Sequence, residues 1–486
     1  MNFKMIGRFH ALIFAAVAIF MTPALVISIA DGETRSVWAF VATIVLCAAL
    51  SATLGYFCRC ADKRFYAKEG LICVGVAWIS ICLVGSLPFF ISGEIPSFID
   101  ALFEIVSGFT TTGASILTDV ESLSRGMLYW RSFSHWLGGM GVLVFLLAIV
   151  PVSGKNQGFT LHLMRAESPG PDVGKLVPKI RQTAAILYIT YISLTVLDFV
   201  LLLVGGMPVF DAVCTAFGTA GTGGFGIKAD GMASYSPYLQ NVTTVFMLLF
   251  GVNFSVYYLL LTRHFLSAMK DEELHLYGGI VLTAVVCITV NIRSLYATFG
   301  ETLRHAFFQV ASIITTTGFA TTDFNLWPTF SKTIIVILML CGACAGSTGG
   351  GFKCARVLLL IKGFFRNLRQ VIHPQKIESV RINGKHVDEK ILSNTNAYLF
   401  AYVAILLLSF LFVSLDPYAE TVTTAFTSVV SCFNNIGPGL DGVGPMASFA
   451  GFGWGSKLVL IFDMLAGRLE IFPILVLFSP RAWERS

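Results

Sequence analysis

Ten stretches of this sequence are dominated by apolar residues: 10–30, 37–57, 71–92, 127–152, 184–206, 238–262, 276–297, 330–361, 395–415 and 456–478. Each is near or above the ~20 residues that an α-helix needs to cross the hydrocarbon of a bilayer. A chain made of such segments has few folds open to it. Inside lipid no water is at hand for peptide groups, so a crossing segment closes its hydrogen bonds within itself as a helix. Irregular backbone at that depth survives only inside protein or along a wet cavity. Composition agrees, since 55% of the 486 residues are hydrophobic and only 13% are charged, which is too apolar for an ordinary soluble domain. The expectation is an all-α integral membrane protein with ten transmembrane helices. The first run follows Lys4 and Arg8 as a signal peptide would, but it is long and ends in ISIADGE without a small-residue cleavage pattern, so it reads as a retained span.

Lysine and arginine set the orientation. With both termini on one side, that side carries 24 of the 33 Lys and Arg residues and the other carries 8, which predicts cytoplasmic termini. The excess lies in 58–70, 153–181 and 353–390. The net charge of +5 therefore reports topology, and because the basic segments abut spans and form no separate domain, nothing supports nucleic-acid binding. The eleven cysteines show no paired CxxC motifs and read as small buried hydrophobes.

A second pattern is laid over the first. With Gly113, Gly224, Gly318 and Gly437 in one column, the preceding residues align without gaps as DALFEIVSGFTTTG, DAVCTAFGTAGTGG, HAFFQVASIITTTG and TAFTSVVSCFNNIG, each with alanine in its second place. Two apolar runs separate each glycine from the next. The repeated unit is span, short apolar segment, glycine loop, span. It divides the chain into two leading helices (1–70), pore units at 71–152, 182–266, 274–362 and 393–480, and cytoplasmic connectors at 153–181 and 363–392. The short segments, about 12 to 14 residues each, cannot cross a bilayer and predict four re-entrant pore helices. Pro96 and Pro208 suit two of their starts, and Asp100, Asp211, Glu301 and Glu420 lie near the positive dipole ends. The negative ends then point along the loops toward mid-membrane, where a cation is favoured and an anion is not.

Four such loops around one axis would present a ring of carbonyl oxygens, which is a cation filter. The expected filter residues are Thr111, Thr112 and Gly113; Thr222, Gly223 and Gly224; Thr316, Thr317 and Gly318; and Asn435, Ile436 and Gly437. Thr110, Thr315 and Asn434 add oxygens behind them. In the second loop two glycines are adjacent, and the register selects Gly224. No ring of acids accompanies the loops, which favours a monovalent ion over a divalent one. Any single TTTG would read as small-residue helix packing, as GGMG at Gly138–Gly141 does; the gapless fourfold repeat outweighs that reading.

The closing span of the third unit is interrupted by CGACAGSTGGGFKCAR, residues 341–356. Each glycine in a helix costs ~1 kcal/mol relative to alanine, so the segment breaks there, either as a packing bend or as an intramembrane gate formed by Gly346, Ser347, Thr348, Gly349, Gly350 and Gly351. Arg468 lies within the last span, where a charge is expensive and is functional or paired. Two roles are open to it: an electrostatic barrier facing the pore below the filter, or a structural pair with Asp463 or Glu470. Asp198, also within a span, reads as a coupling-ion site or as a hydrogen-bonded group against a neighbouring helix, and His135 beside Trp136 reads as interfacial.

The motifs TTTGAS, GTAGTGGFG, TTTGFATTDF and NNIGPGL, with RSFSHWLGGMG, AGSTGGGFK and AGRLEIFP, closely resemble the membrane subunit of bacterial Trk potassium-uptake systems, in the Trk/Ktr/HKT superfamily. The resemblance runs from about residue 5 to the C-terminus, and the two leading spans look like the Trk branch. It implies K+ as the transported ion and a place in the bacterial inner membrane. It also implies a homodimer with one pore per protomer, and a cytoplasmic ring of nucleotide-binding subunits of the TrkA kind. The broken segment would be the gate and Arg468 would lie under the filter. A single register glycine per loop, unlike the TVGYG loops of potassium channels, predicts a short filter that prefers potassium but passes rubidium and some sodium. Passive flow through a gated channel and sodium- or proton-coupled symport stay open. An intramembrane enzyme has no support, since neither a zinc-binding pair nor a GxSxG motif occurs within the spans.

Overall fold

A computed structural model describes residues 2–59, 67–141, 180–375 and 378–483. The connector expected at 153–181 lies almost wholly outside these residues, as does 142–152 at the end of the fourth apolar run. The regular structure of the described residues is helical apart from a two-stranded hairpin pairing Arg381–Ile382 with Lys385–His386.

Helices Phe3–Ala30 and Thr34–Phe57 are joined by a three-residue turn, which forces them to run antiparallel. Trp38, Val45, Tyr56 and Phe57 remain exposed on the second, as suits a helix with lipid on its outer side. Four units follow. Their long helices are Ala67–Ser92, Ile180–Val204, Glu272–Asn291 and Glu389–Val413, and the short helices behind them are Phe98–Phe109, Val209–Gly221, Phe299–Ile314 and Val422–Phe433. Side chains of Ser97, Thr298 and Thr421 accept hydrogen bonds from backbone N–H groups in the first turns of three short helices, and Pro208 starts the fourth.

Among the described residues six helices are long and apolar enough to cross a membrane, and Pro237–Gly251 with Phe254–Leu261, bent by 90°, makes a seventh if counted as one span. The helices that close the last three units are all broken. Helix Pro237–Gly251 stops at Val252 and Asn253, whose side chain caps the next helix by accepting from the Ser255 N–H (2.9 Å). Helix Thr329–Cys341 gives way to a loop that ends at Cys354–Ile372, and Trp454–Arg468 stops before Phe472–Leu477. At the last break Glu470 and Ile471 both take positive φ (55° and 68°) and Pro473 starts the following helix. Apolar runs alone suggested unbroken spans at 238–262 and 456–478. Hydropathy averages over a two- or three-residue interruption; capping residues and proline do not.

Packing joins the units head to tail. Each closing helix lies on the short helix of the next unit: Arg125–Gly139 on Val209–Gly221, Pro237–Gly251 on Phe299–Ile314, Thr329–Cys341 on Val422–Phe433, and Trp454–Arg468 back on Phe98–Phe109. Each seam is pinned at the loops. Arg131 Nη1 donates to the Gly226 carbonyl (2.9 Å), Met232 N–H to the Ala320 carbonyl (2.8 Å), Asp441 N–H to Asn325 Oδ1 (2.9 Å), and Phe449 N–H to the Ser115 carbonyl (2.8 Å). Arg131 is itself held within the first unit by a buried ion pair, its Nε 2.6 Å from Glu104 Oε1, while its guanidinium lies 3.5 Å above the Phe225 ring of the second unit. Glu104 also accepts from Ser115 Oγ (3.0 Å) and the Ile116 N–H (2.9 Å).

Removing one partner of a buried pair leaves an uncompensated charge. Glu104→Ala is expected to destabilise the protein by about 3–5 kcal/mol, read as a lowered melting temperature in detergent. The double variant Glu104→Leu, Arg131→Met should lose far less, and a single variant no less stable than the double would refute this account of the pair.

Candidate functional site

All four short helices end in the same way. The N–H groups of Thr112, Gly223, Thr317 and Ile436 donate to the carbonyls of Ser107, Gly218, Ser312 and Ser431 at 2.8, 2.9, 2.8 and 2.9 Å. The residue before each donor is left-handed: Thr111, Thr222, Thr316 and Asn435 have φ of 56°, 55°, 57° and 56°. Glycine or asparagine ordinarily fills such a helix-ending position, and a β-branched residue there is strained. Three threonines in this state, at equivalent places, are held by their surroundings. Two residues after each comes a glycine with positive φ, at Gly113, Gly224, Gly318 and Gly437, so in the second loop Gly224 holds the register position and Gly223 takes the place of Thr112, Thr317 and Ile436.

The four glycines face one another in sequence. A Cβ on Gly113 would run into the Gly223 carbonyl oxygen, one on Gly224 into that of Thr317, and one on Gly318 into that of Ile436; on Gly437 it would stand 2.8 Å from the Thr112 oxygen. The order 1, 2, 3, 4 and back to 1 is a closed ring. It follows that the residue preceding each glycine presents its carbonyl at the ring, and only glycine lets the neighbouring loop approach so closely. All four glycines line one cavity of about 370 Å³, together with Pro438 and Phe319. The C-terminal, partly negative ends of four helices meet at the ring, which makes it favourable for a cation.

Hydroxyl and amide groups brace the ring from behind. Thr110 Oγ1 donates to the Val106 carbonyl (2.7 Å) and lies 2.8 Å from Thr112 Oγ1; Thr315 repeats this with the Ala311 carbonyl (2.6 Å) and Thr317 (2.8 Å). In the fourth loop Asn434 Nδ2 donates to the Val430 carbonyl (3.0 Å), and Asn435 Nδ2 reaches across to Thr112 Oγ1 (3.0 Å). His135, expected at an interface, is instead fully buried against the second loop, with Nδ1 2.8 Å from the Gly108 carbonyl. The segment GGMG packs closely, as the sequence suggested: Gly139 abuts the Gly221 backbone. Asp198 is fully buried beside Thr219 of the second short helix.

The interrupted segment between Cys341 and Cys354 lies under this ring. Gly350 N–H donates to Thr316 Oγ1 (2.8 Å), and a Cβ on Gly350 would stand 2.9 Å from the Asn434 carbonyl. The same segment fills the break in the second unit. Cys344 N–H donates to the Gly251 carbonyl and Phe254 N–H to the Gly346 carbonyl, both at 3.1 Å, while Thr348 Oγ1 donates to the Phe250 carbonyl (3.2 Å). Glu273 holds its start through the Ala345 N–H (2.6 Å). Arg468 joins the segment to the first unit, donating to the carbonyls of Thr348 (2.9 Å), Gly139 (2.6 Å) and Gly138. Glu470, one of the two acids considered as its partner, pairs with Lys353 (2.8 Å) and Arg356, and Asp463 accepts from Ser409 Oγ (2.7 Å). Sequence reading missed Glu273, Asn253, Lys353 and Glu470 as anchors. Of these, only the Gly–Val–Asn and Glu–Ile–Phe–Pro strings carried a local signal.

The profile described as "TrkH: Cation transport protein" matches residues 36–485. The chain belongs to this family. Among TrkH-family relatives, the Trk system potassium uptake protein TrkH of Salmonella typhimurium is 37% identical over 465 residues, covering 93% of each chain. Its Escherichia coli K12 counterpart is 35% identical over 464 residues with the same coverage. The crystal structure of the potassium transporter TrkH from Vibrio parahaemolyticus superposes with a TM-score of 0.87 at 30% identity, covering all of both chains. The chain is thus a multi-pass membrane protein of the TrkH family and has the fold of that structure.

In this TrkH-family chain Glu470 ties both cationic groups at the end of the interrupted segment to the fourth unit. Glu470→Gln is expected to accelerate amide hydrogen exchange across 342–353 while leaving the four short helices protected. Unchanged exchange would show that the ion pairs do not hold the segment in place.

Proposed function

We propose that the chain takes up potassium across the bacterial inner membrane through a gated, channel-like pore whose selectivity filter is the ring of four loops. The observation that carries this reading is the closed ring itself: four register glycines, each set against the carbonyl of the next loop, on the wall of one cavity and at the negative ends of four helices. Neutral oxygens replace the water of a monovalent cation there, from the backbone of Thr111, Thr112 and Gly113, of Thr222, Gly223 and Gly224, of Thr316, Thr317 and Gly318, and of Asn435, Ile436 and Gly437. The names of the relatives, potassium uptake proteins of Trk systems, support potassium as the ion.

In this reading the broken helices cross the membrane in two pieces, giving ten spans with four re-entrant short helices and cytoplasmic termini. Gly346–Gly351 is the gate beneath the filter, and its bond to Thr316 holds it in the ion path. Arg468 places a positive charge on that path and latches the gate to the carbonyls of Gly138 and Gly139. The resemblance to Trk systems extends the proposal to a homodimer and to a cytoplasmic nucleotide-binding ring that moves the gate.

Growth of an uptake-deficient bacterium at low potassium, and rubidium flux into vesicles holding purified protein, test the function. Gly318→Ser forces a Cβ against the Ile436 carbonyl and is expected to lower potassium over sodium preference. Equal passage of potassium and a large organic cation in the unaltered protein would end the filter reading. Arg468→Gln is expected to raise cation flux severalfold by removing both charge and latch, and a flux no higher than that of the parent would remove Arg468 from the path.

A further inference from the structure

The second loop departs from its neighbours. In loops one and three the residues flanking the left-handed threonine are threonines, and their hydroxyls meet at 2.8 Å behind the ring. The fourth loop uses Asn434 and Ile436. The second has Gly221 and Gly223 there, and so presents no side chain at either place. Nothing in the backbone demands this at Gly223: its φ is not positive, and its three counterparts carry side chains.

The missing volume is supplied from another unit. A Cβ on Gly223 would fall among Cγ, Nδ1 and Cε1 of the His135 ring. The ring lies 4.1 Å from that of Phe225, two residues further along the same loop. Its Nδ1 is tied to the Gly108 carbonyl in the last turn of the first short helix (2.8 Å), so that nitrogen carries the proton and the ring is fixed in orientation. Arg131, one turn earlier on the same helix, grips the loop again through the Gly226 carbonyl and the Phe225 ring.

We infer that His135 is a positioning residue for potassium selectivity: lent by the first unit, its imidazole backs the second loop where a threonine backs the first and third. This rests on the four loops being the filter. The packing explains why the adjacent glycines occur: Gly224 is required by the approach of the Thr317 carbonyl, Gly223 by the imidazole. The radius of the ring at the second loop is then set by a side chain of the first unit, and a shift of the helix Arg125–Gly139 is transmitted to the filter.

An exchange of side chains tests the inference, with potassium and sodium fluxes measured on purified full-length protein in vesicles. His135→Ala is expected to lower the potassium-to-sodium ratio by about tenfold, the effect of losing one or two well-placed contacts. Gly223→Thr alone collides with the ring and should lower it as well. The double variant His135→Ala, Gly223→Thr restores a side chain from within the loop and should return the ratio to within about threefold of the parent, under about 1 kcal/mol. General loosening of the structure would instead leave the double variant no better than the worse single one, and that result overturns the inference. If neither single variant accumulates folded, the double variant decides: a ratio near the parent's supports the exchange, and a lost ratio or no folded protein overturns it. Gly318→Ser in the same assay separates the two levels. If it alters the ratio and His135→Ala does not, the role of His135 falls and the filter stands; if it too leaves the ratio unchanged, the filter reading falls and the inference with it.

Discussion

A peptide group in an apolar surrounding must find a partner within the protein, and this requirement shapes the whole molecule. Helices that end inside the protein leave carbonyls where water is scarce. Each of the four short helices meets the requirement with the same left-handed closing turn, which bonds one N–H five residues back and turns the next carbonyls away from the helix axis. The strain of a β-branched residue with positive φ is tolerated at Thr111, Thr222 and Thr316 because each is buried on all sides. Without that turn the loops would continue as helix and no ring would form.

The same requirement couples the breaks in the closing helices. Carbonyls released at Phe250 and Gly251 are taken by Thr348 and Cys344, and the free N–H at Phe254 is taken by Gly346. Carbonyls at the end of the first closing helix are taken by Arg468. One interruption thus supplies what another lacks. The glycine-rich segment is held by hydrogen bonds to Gly251, Phe254, Glu273, Thr316 and Arg468, and at its end by Phe352, buried against the rings of Tyr398 and Tyr402.

Much of this arrangement was legible in residue order. Apolar runs marked the long helices, and the gapless column ending at Gly113, Gly224, Gly318 and Gly437 located four short helices and their loops. The register glycine of the second loop was read as Gly224 from that column, and the positive φ falls there. The breaks at 252–253 and 469–471 were not seen, because a two-residue interruption barely changes the hydropathy of a run. His135 was misplaced for a different reason: a histidine beside a tryptophan reads as interfacial, and nothing local reveals that a glycine 88 positions later leaves room for its ring. Glu273 and Glu470 were hidden likewise, since their partners at Ala345 and Lys353 are distant in sequence.

The head-to-tail packing bears on how the molecule is made. The first short helix, complete by Phe109, lies against Trp454–Arg468, a helix that follows it by more than three hundred residues. During synthesis the first loop therefore waits, unsupported on one flank, until nearly the entire polypeptide has left the ribosome. A truncation anywhere before residue 468 would leave the ring as an open arc, so assembly of this protein is decided at its last helices.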